Sequence, residues 1–118
     1  MFWGPAVHFN THLGMYVMLL NHAIDTRLNG DGIFVSFSRT LDNPAGWSKP
    51  RRILDGAAVR RVMKDTGLSE TKMNNGWYPQ AIGTARGETD KRLGRTSRFF
   101  MAGVSKKTIT FLRPGESR

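Results

Sequence analysis

The chain has 118 residues, enough for one modest core, and 39% of it is apolar, with three Trp, two Tyr and seven Phe, so wholesale disorder is excluded. Eighteen Lys and Arg against nine Asp and Glu leave a net charge of +9, and the absence of cysteine rules out a disulfide framework, a thiol nucleophile or a thiolate metal site. The longest apolar run, Met15–Leu20, is far too short to cross a bilayer as a helix, and no membrane partner is expected.

In chain order, Ala6–Asn10 alternates loosely and predicts a short strand, followed by a turn at Thr11–Gly14 in which Gly14 suits a positive φ. Met15–Ala23 predicts a second strand, apolar on both faces in its middle, as a sheet sandwiched between neighbours requires. Asp25–Gly32, rich in Gly, Asp and Asn, predicts a loop, and Ile33–Ser38 a third strand. Asn43–Gly46 predicts a turn. Trp47–Leu54 predicts a fourth, shorter edge strand, where Pro50 is tolerated. Four antiparallel strands in about fifty residues correspond to one propeller blade.

Asp55 is placed to cap a helix over Ala57–Thr66, with Ala58, Val59, Val62 and Met63 on one side, Arg60, Arg61 and Lys64 on the other, and Gly67 to end it. With the polar Ser69–Asn75 after it, this stretch reads as an insertion. Tyr78–Thr84, Ser97–Ser105 and Thr108–Arg113 predict three further strands, joined by a long polar loop at Ala85–Thr96. A fourth strand is missing, and bare edges are expected at Ala6–Asn10 and Thr108–Phe111. The predicted fold is all-β. It is a partial β-propeller of about two antiparallel four-stranded blades with a short helical insertion: a complete blade at 1–55, a helical linker at 56–75 and an incomplete blade at 76–118.

Two segments carry one signature: Phe2-Trp3-Gly4-Pro5-Ala6-Val7 and Gly76-Trp77-Tyr78-Pro79-Gln80-Ala81. Each is followed by a short apolar run and then a second strand-like run, the pattern of a repeated β module. Met1-Phe2-Trp3 has no basic n-region or apolar h-region, so no signal peptide is expected, and the chain enters a strand pattern as if an upstream portion preceded it. The compartment stays open, and a secreted or periplasmic parent is compatible with it.

The run Gly4-Pro5-Ala6-Val7-His8, then Gly14 to Leu20, then Gly32-Ile33-Phe34-Val35-Ser36-Phe37-Ser38, then Trp47-Ser48-Lys49-Pro50 resembles a blade of the five-bladed propeller glycosidases. These are the arabinanase and β-xylosidase-like group, glycoside hydrolase family 43 and its uncharacterised relatives. Trp77 to Gly83 with Arg98-Phe99-Phe100 is similar to a late blade of the same kind. The resemblance implies catalysis by an Asp base, a second Asp and a Glu acid placed before the first strands of early blades, since glycoside cleavage needs two carboxyls flanking the scissile bond. Here Trp3 stands before Gly4-Pro5, and Trp77 and Tyr78 stand before Pro79, so neither segment offers a carboxylate there. The resemblance therefore implies C-terminal blades only, which contribute substrate-binding groups and have no hydrolase activity alone. No catalytic residue is assigned.

Six residues form the candidate substrate-binding set: Trp3, His8, Asn10, Trp77, Tyr78 and Gln80. Trp3, Trp77 and Tyr78 stand where the first strand of each unit begins and can stack on sugar rings; the alternative is packing between blades. His8, Asn10 and Gln80 are polar on strands expected to be apolar, which suits either a wet channel or hydrogen-bonded strand ends. No metal site or cofactor is expected. His8 and His12 lie about 13 Å apart on a strand, and Asp25, Asn29 and Asp31 fit no calcium loop. Glu88 and Asp90 read as turn residues. The cations are scattered along the chain, which reads as a solvated surface. The expected function is a carbohydrate-active propeller portion that binds oligo- or polysaccharide beside missing N-terminal blades or a second copy. The alternative is a non-catalytic module for anionic glycan or nucleic acid.

Overall fold

The computed structural model describes every residue except Leu28, which falls in the predicted 25–32 loop; the side chains of Thr71 and Asn74 also lie outside the described set. Strand β1 (Phe2–Asn10) turns back into β2 (Met15–Ala23), which pairs with β3 (Gly30–Ser38), which pairs with β4 (Arg51–Leu54). All three pairings are antiparallel and join strands consecutive in the chain. The register sets Leu19 opposite Ala6 and Val35, and Val17 opposite His8 and Phe37. Because side chains alternate across a strand, this register turns Val17, Leu19, Ile33 and Val35 to one face. The same alternation turns Val7, Phe9, Tyr16, Met18, Leu20 and Phe34 to the other. Both faces are apolar, as the pattern of 15–23 predicts; the first packs into the core, whereas the second is buried at Leu20 and Ser36 and exposed at Val7.

That cover is a second sheet, β5 (Gln80–Gly83), β7 (Thr96–Met101) and β8 (Val104–Thr110), in the order β5-β7-β8. One core joins them: Val17, Leu19, Ile33 and Val35 meet Ala81, Leu93, Phe99, Met101 and Phe111, with Val59 and Met63 contributed by a helix. The protein is mostly β, as the sequence predicts.

Several boundaries differ from the sequence expectation, each for a local reason. The first strand begins at Phe2 instead of Ala6, because a bulge between Trp3 and Ala6 lets the chain pair on both sides of Pro5. The third strand starts at Gly30, inside the predicted loop. Pro44–Gly46 forms a 3-10 turn capped by Asn43, and β4 starts only at Arg51, after Pro50. The predicted strands 97–105 and 108–113 are displaced: the hairpin turns at Ala102 and Gly103, both at positive φ (50° and 77°), the geometry of the tightest right-twisting hairpin loop. Tyr78 lies outside β5 because its φ of 55° cannot enter a strand.

The expected bare edge at Ala6–Asn10 is partly covered. Within the predicted 85–96 loop, a two-residue strand β6 (Arg92–Leu93) runs parallel to β1, with Phe9 N–H and Thr11 N–H donating to Lys91 and Leu93 carbonyls at 2.9 Å. Helix α1 (Gly56–Met63) starts as predicted, with the Asp55 carboxylate accepting from Ala58 N–H at 2.8 Å. It stops short of Thr66, because Lys64 leaves helical geometry (ψ 141°) and its carbonyl accepts instead from Lys106 Nζ at 2.5 Å. The polar stretch 69–75, read as part of the helical linker, contains α2 (Glu70–Asn75), capped by Ser69 and closed by Gly76 in the left-handed region.

Candidate functional site

The two Trp-x-Pro segments, far apart in sequence, meet in space. The Trp3 ring packs edge-on against Trp77 at 5.7 Å and against Tyr78 at 5.6 Å. Tyr78 is 57% exposed, whereas both indole Nε1–H groups are buried without an acceptor among the described residues. The corner therefore has a packed base of two tryptophans and one displayed phenol.

Asn21 holds this corner together. It is buried on the core face of β2 opposite Trp3. Its Nδ2 donates to the carbonyls of Asn75 (3.0 Å) and Gly76 (3.1 Å), and its Oδ1 accepts from Tyr78 N–H at 3.0 Å. Three bonds to the backbone of residues 75, 76 and 78 fix Tyr78 at φ 55°, a conformation that costs a non-glycine residue about 1–2 kcal/mol. Two glycines make the threading possible. A Cβ on Gly76 (φ 54°) would meet Met101 Sδ at 2.7 Å and Val59 Cγ1 at 2.8 Å, and one on Gly4 (φ 63°) would lie 3.1 Å from Asn21 Oδ1 and 3.5 Å from the Tyr78 ring.

The other predicted residues have different surroundings. His8 Nδ1 contacts the Asp90 carbonyl, and its Nε2 accepts from Ala81 N–H at 3.4 Å. A neutral ring protonated at Nδ1 satisfies both contacts, whereas a proton on Nε2 would face an N–H. Burial lowers the His8 pKa, against a smaller opposing pull from the Asp90 carbonyl and its charge. Asn10 is fully buried, donating to the Gly94 carbonyl at 2.9 Å and accepting from Leu13 N–H at 2.9 Å. Both residues thus fasten the 90–94 segment to β1. Gln80 is exposed at the start of β5, two residues from Tyr78.

Several carboxylates are engaged elsewhere. Asp31 bridges His22 Nδ1 and Arg52 Nη1, each at 3.2 Å. Glu116 bonds His12 Nε2 at 2.7 Å, and that bond, followed by the Arg113 N–H, lowers its pKa. Glu88 accepts from Ala85 N–H at 3.1 Å within its own turn. Among the described residues no three His, Cys, Asp or Glu side chains gather as a metal would need.

Sequence reasoning missed two concave surfaces. One is an apolar groove of about 430 Å³ between the β4 and β8 edges, floored by Val35, Leu54, Phe99, Ile109 and Phe111. The other is an open cleft of about 410 Å³ between α1 and β8, lined by Arg61, Lys64, Lys106 and Lys107 with Asp65 as its one carboxylate. Four of the cations that look scattered in the sequence converge there. The only sequence signal was the Lys106-Lys107 pair inside a strand-like run.

The chain matches no protein-family model, no curated protein and no solved structure.

Proposed function

We propose that this chain is the carbohydrate-binding, non-catalytic portion of a propeller-type protein resembling the family 43 glycosidases, with Tyr78 as the residue that stacks on a sugar ring. The observation that carries this reading is the Tyr78 geometry: an exposed phenol in a strained backbone conformation, fixed by buried Asn21 and backed by Trp3. Strain of that kind persists where surrounding structure over-determines it, and it gathers at binding sites. Gln80, exposed two residues on, adds amide groups for sugar hydroxyls. Trp3 and Trp77 shape the platform from beneath.

The finer architectural reading belongs to the same proposal. The β1–β4 meander is one blade, and the three-stranded sheet is a second, incomplete one. Two features support this: the consecutive antiparallel order of the first four strands, and an apolar outer face on β1–β3 that another sheet can cover. Further blades or a second copy would supply that cover.

Calorimetric titration of the 118-residue chain with neutral arabino- and xylo-oligosaccharides tests the function. Binding should weaken by about 1–2 kcal/mol in Tyr78→Ala, a stacking-sized loss, and should change little with salt. Equal affinity in wild type and Tyr78→Ala would refute the role of the ring. The convergence of Arg61, Lys64, Lys106 and Lys107 favours a second reading, a module for anionic glycan or nucleic acid. Its mark is an affinity that falls linearly with log salt.

A further inference from the structure

We propose that the open edge of β8 binds an extended peptide segment of another protein by strand addition, and that the segment carries apolar residues at alternate positions and acidic residues at the end that meets Lys107. The edge follows from the ladder. Phe111 N–H donates to the Arg95 carbonyl at 2.7 Å, and the register runs through Thr96–Thr110, Ser97–Ile109, Arg98–Thr108 and Phe99–Lys107. Bonded and non-bonded pairs alternate in an antiparallel ladder. Ile109 and Lys107 therefore bond inward to β7, while Thr108 and Thr110 turn their N–H and C=O groups outward. β8 is the terminal strand of its sheet, so among the described residues no strand meets those groups. Exposed edges of this kind recruit extended chains.

The flanking surface specifies the occupant. Along β8 lies the groove of about 430 Å³, with Ile109 and Phe111 on one side and Ile53 and Leu54 of β4 on the other. An added strand would set every second side chain over this apolar floor. Lys107 and Arg118 also line the groove, and no Asp or Glu does. Lys107 is shared with the cleft that holds Arg61, Lys64 and Lys106, so the groove opens at one end onto clustered positive charge. Each ion pair found among the described residues lies elsewhere, at His12, His22, Arg52 and Arg95, which leaves these cations without a carboxylate partner within 4.0 Å. A nucleic acid strand fits less well: the cleft presents no aromatic ring on which a base could stack. This edge is separate from the Tyr78 corner and its function does not depend on sugar binding there.

The probe is a fluorescein-labelled, end-blocked nonapeptide in which valine alternates with threonine and two glutamates follow at one end, titrated into the full chain and read by anisotropy. Saturable binding is expected, lost at least ten-fold in the double variant Lys106→Glu/Lys107→Glu, whose thermal melt verifies folding. The lysine counterpart of the peptide should not bind. N-methylating alternate peptide residues gives a test that leaves the protein untouched: one phase of methylation should abolish binding and the other should spare it. Equal binding by both phases would overturn strand addition, and so would equal binding by a block-ordered peptide of the same composition. Absence of peptide binding while a poly-dT oligonucleotide binds with a steep salt dependence would overturn the proposal in favour of a polyanion site.

Discussion

Replacing Asn21 with leucine tests whether one buried amide sets the geometry of the aromatic corner. Leucine has the same number and branching of side-chain heavy atoms as asparagine, so it occupies the site while all three hydrogen bonds vanish. The carbonyls of Asn75 and Gly76 and the Tyr78 N–H, bonded at 3.0–3.1 Å in the native protein, are then stranded beside an apolar side chain. Each stranded group costs about 1–3 kcal/mol, or about 3–6 kcal/mol for the three after allowing for relaxation. Burying the leucine side chain returns about 1.5–3 kcal/mol. The expected net loss is about 1.5–3 kcal/mol in urea unfolding with an unchanged slope, because the surface exposed on unfolding is nearly the same. Tyr78, released from φ 55°, should relax toward an ordinary backbone conformation, and sugar affinity should fall with it. A loss below about 1 kcal/mol would refute the reasoning, since the 75–78 backbone would then have found other partners at little cost.

His8 predicts a pH dependence. Its folded pKa lies below the unfolded value of 6.5, so the unfolded chain takes up the proton first; stability should be full above pH 6.5 and fall as pH drops toward the folded pKa, and His8→Gln should flatten the unfolding free energy across that window. Glu116 acts lower: its folded pKa is depressed from 4.5, chiefly by the His12 bond, so its contribution should be present above that value and lost as pH falls through the folded pKa, a loss that proteolysis of the C-terminal tail in mild acid would detect. Gly76→Ala should cost about 2–4 kcal/mol in chemical denaturation, from overpacking against Met101 and Val59 plus the left-handed backbone. Sedimentation should show self-association that weakens when Phe9→Lys and Met18→Glu place charges on the outer face of the first sheet; a monomer at all concentrations would count against that face as a docking surface.

What the sequence made legible follows from what is local. The strand from Met15 to Ala23 was readable to the residue, because its doubly apolar pattern is set by its own side chains and bounded by the turn at 11–14. The Asp55 cap was readable for the same reason: a carboxylate three residues before a free N–H needs no distant partner. The end of that helix was not readable, because Lys106, forty-two positions away, captures the Lys64 carbonyl. The two-residue strand at Arg92–Leu93 was equally hidden, being too short to leave a periodic trace and held by β1 backbone, His8 and Asn10.

The candidate site divides along the same line. Trp3, Trp77 and Tyr78 stood out because their motif repeats, and the fold brings all three together. His8 and Asn10 stood out as polar residues in an apolar pattern, a signal that marks any buried polar group whether it contacts a ligand or the chain's own backbone. Here both contact backbone, and their presence explains how a polar 85–96 segment stays fixed against β1. Asn21 carried the same kind of signal, an amide inside the most apolar strand of the chain, yet its meaning depended on three partners more than fifty residues away. The gathering of Arg61, Lys64, Lys106 and Lys107 left only the Lys106-Lys107 pair as a local trace, since charge density is a property of the surface and not of the segment. A strained aromatic residue and an uncompensated basic edge are both costs to this small fold, and in each case the cost is one that a bound ligand would offset.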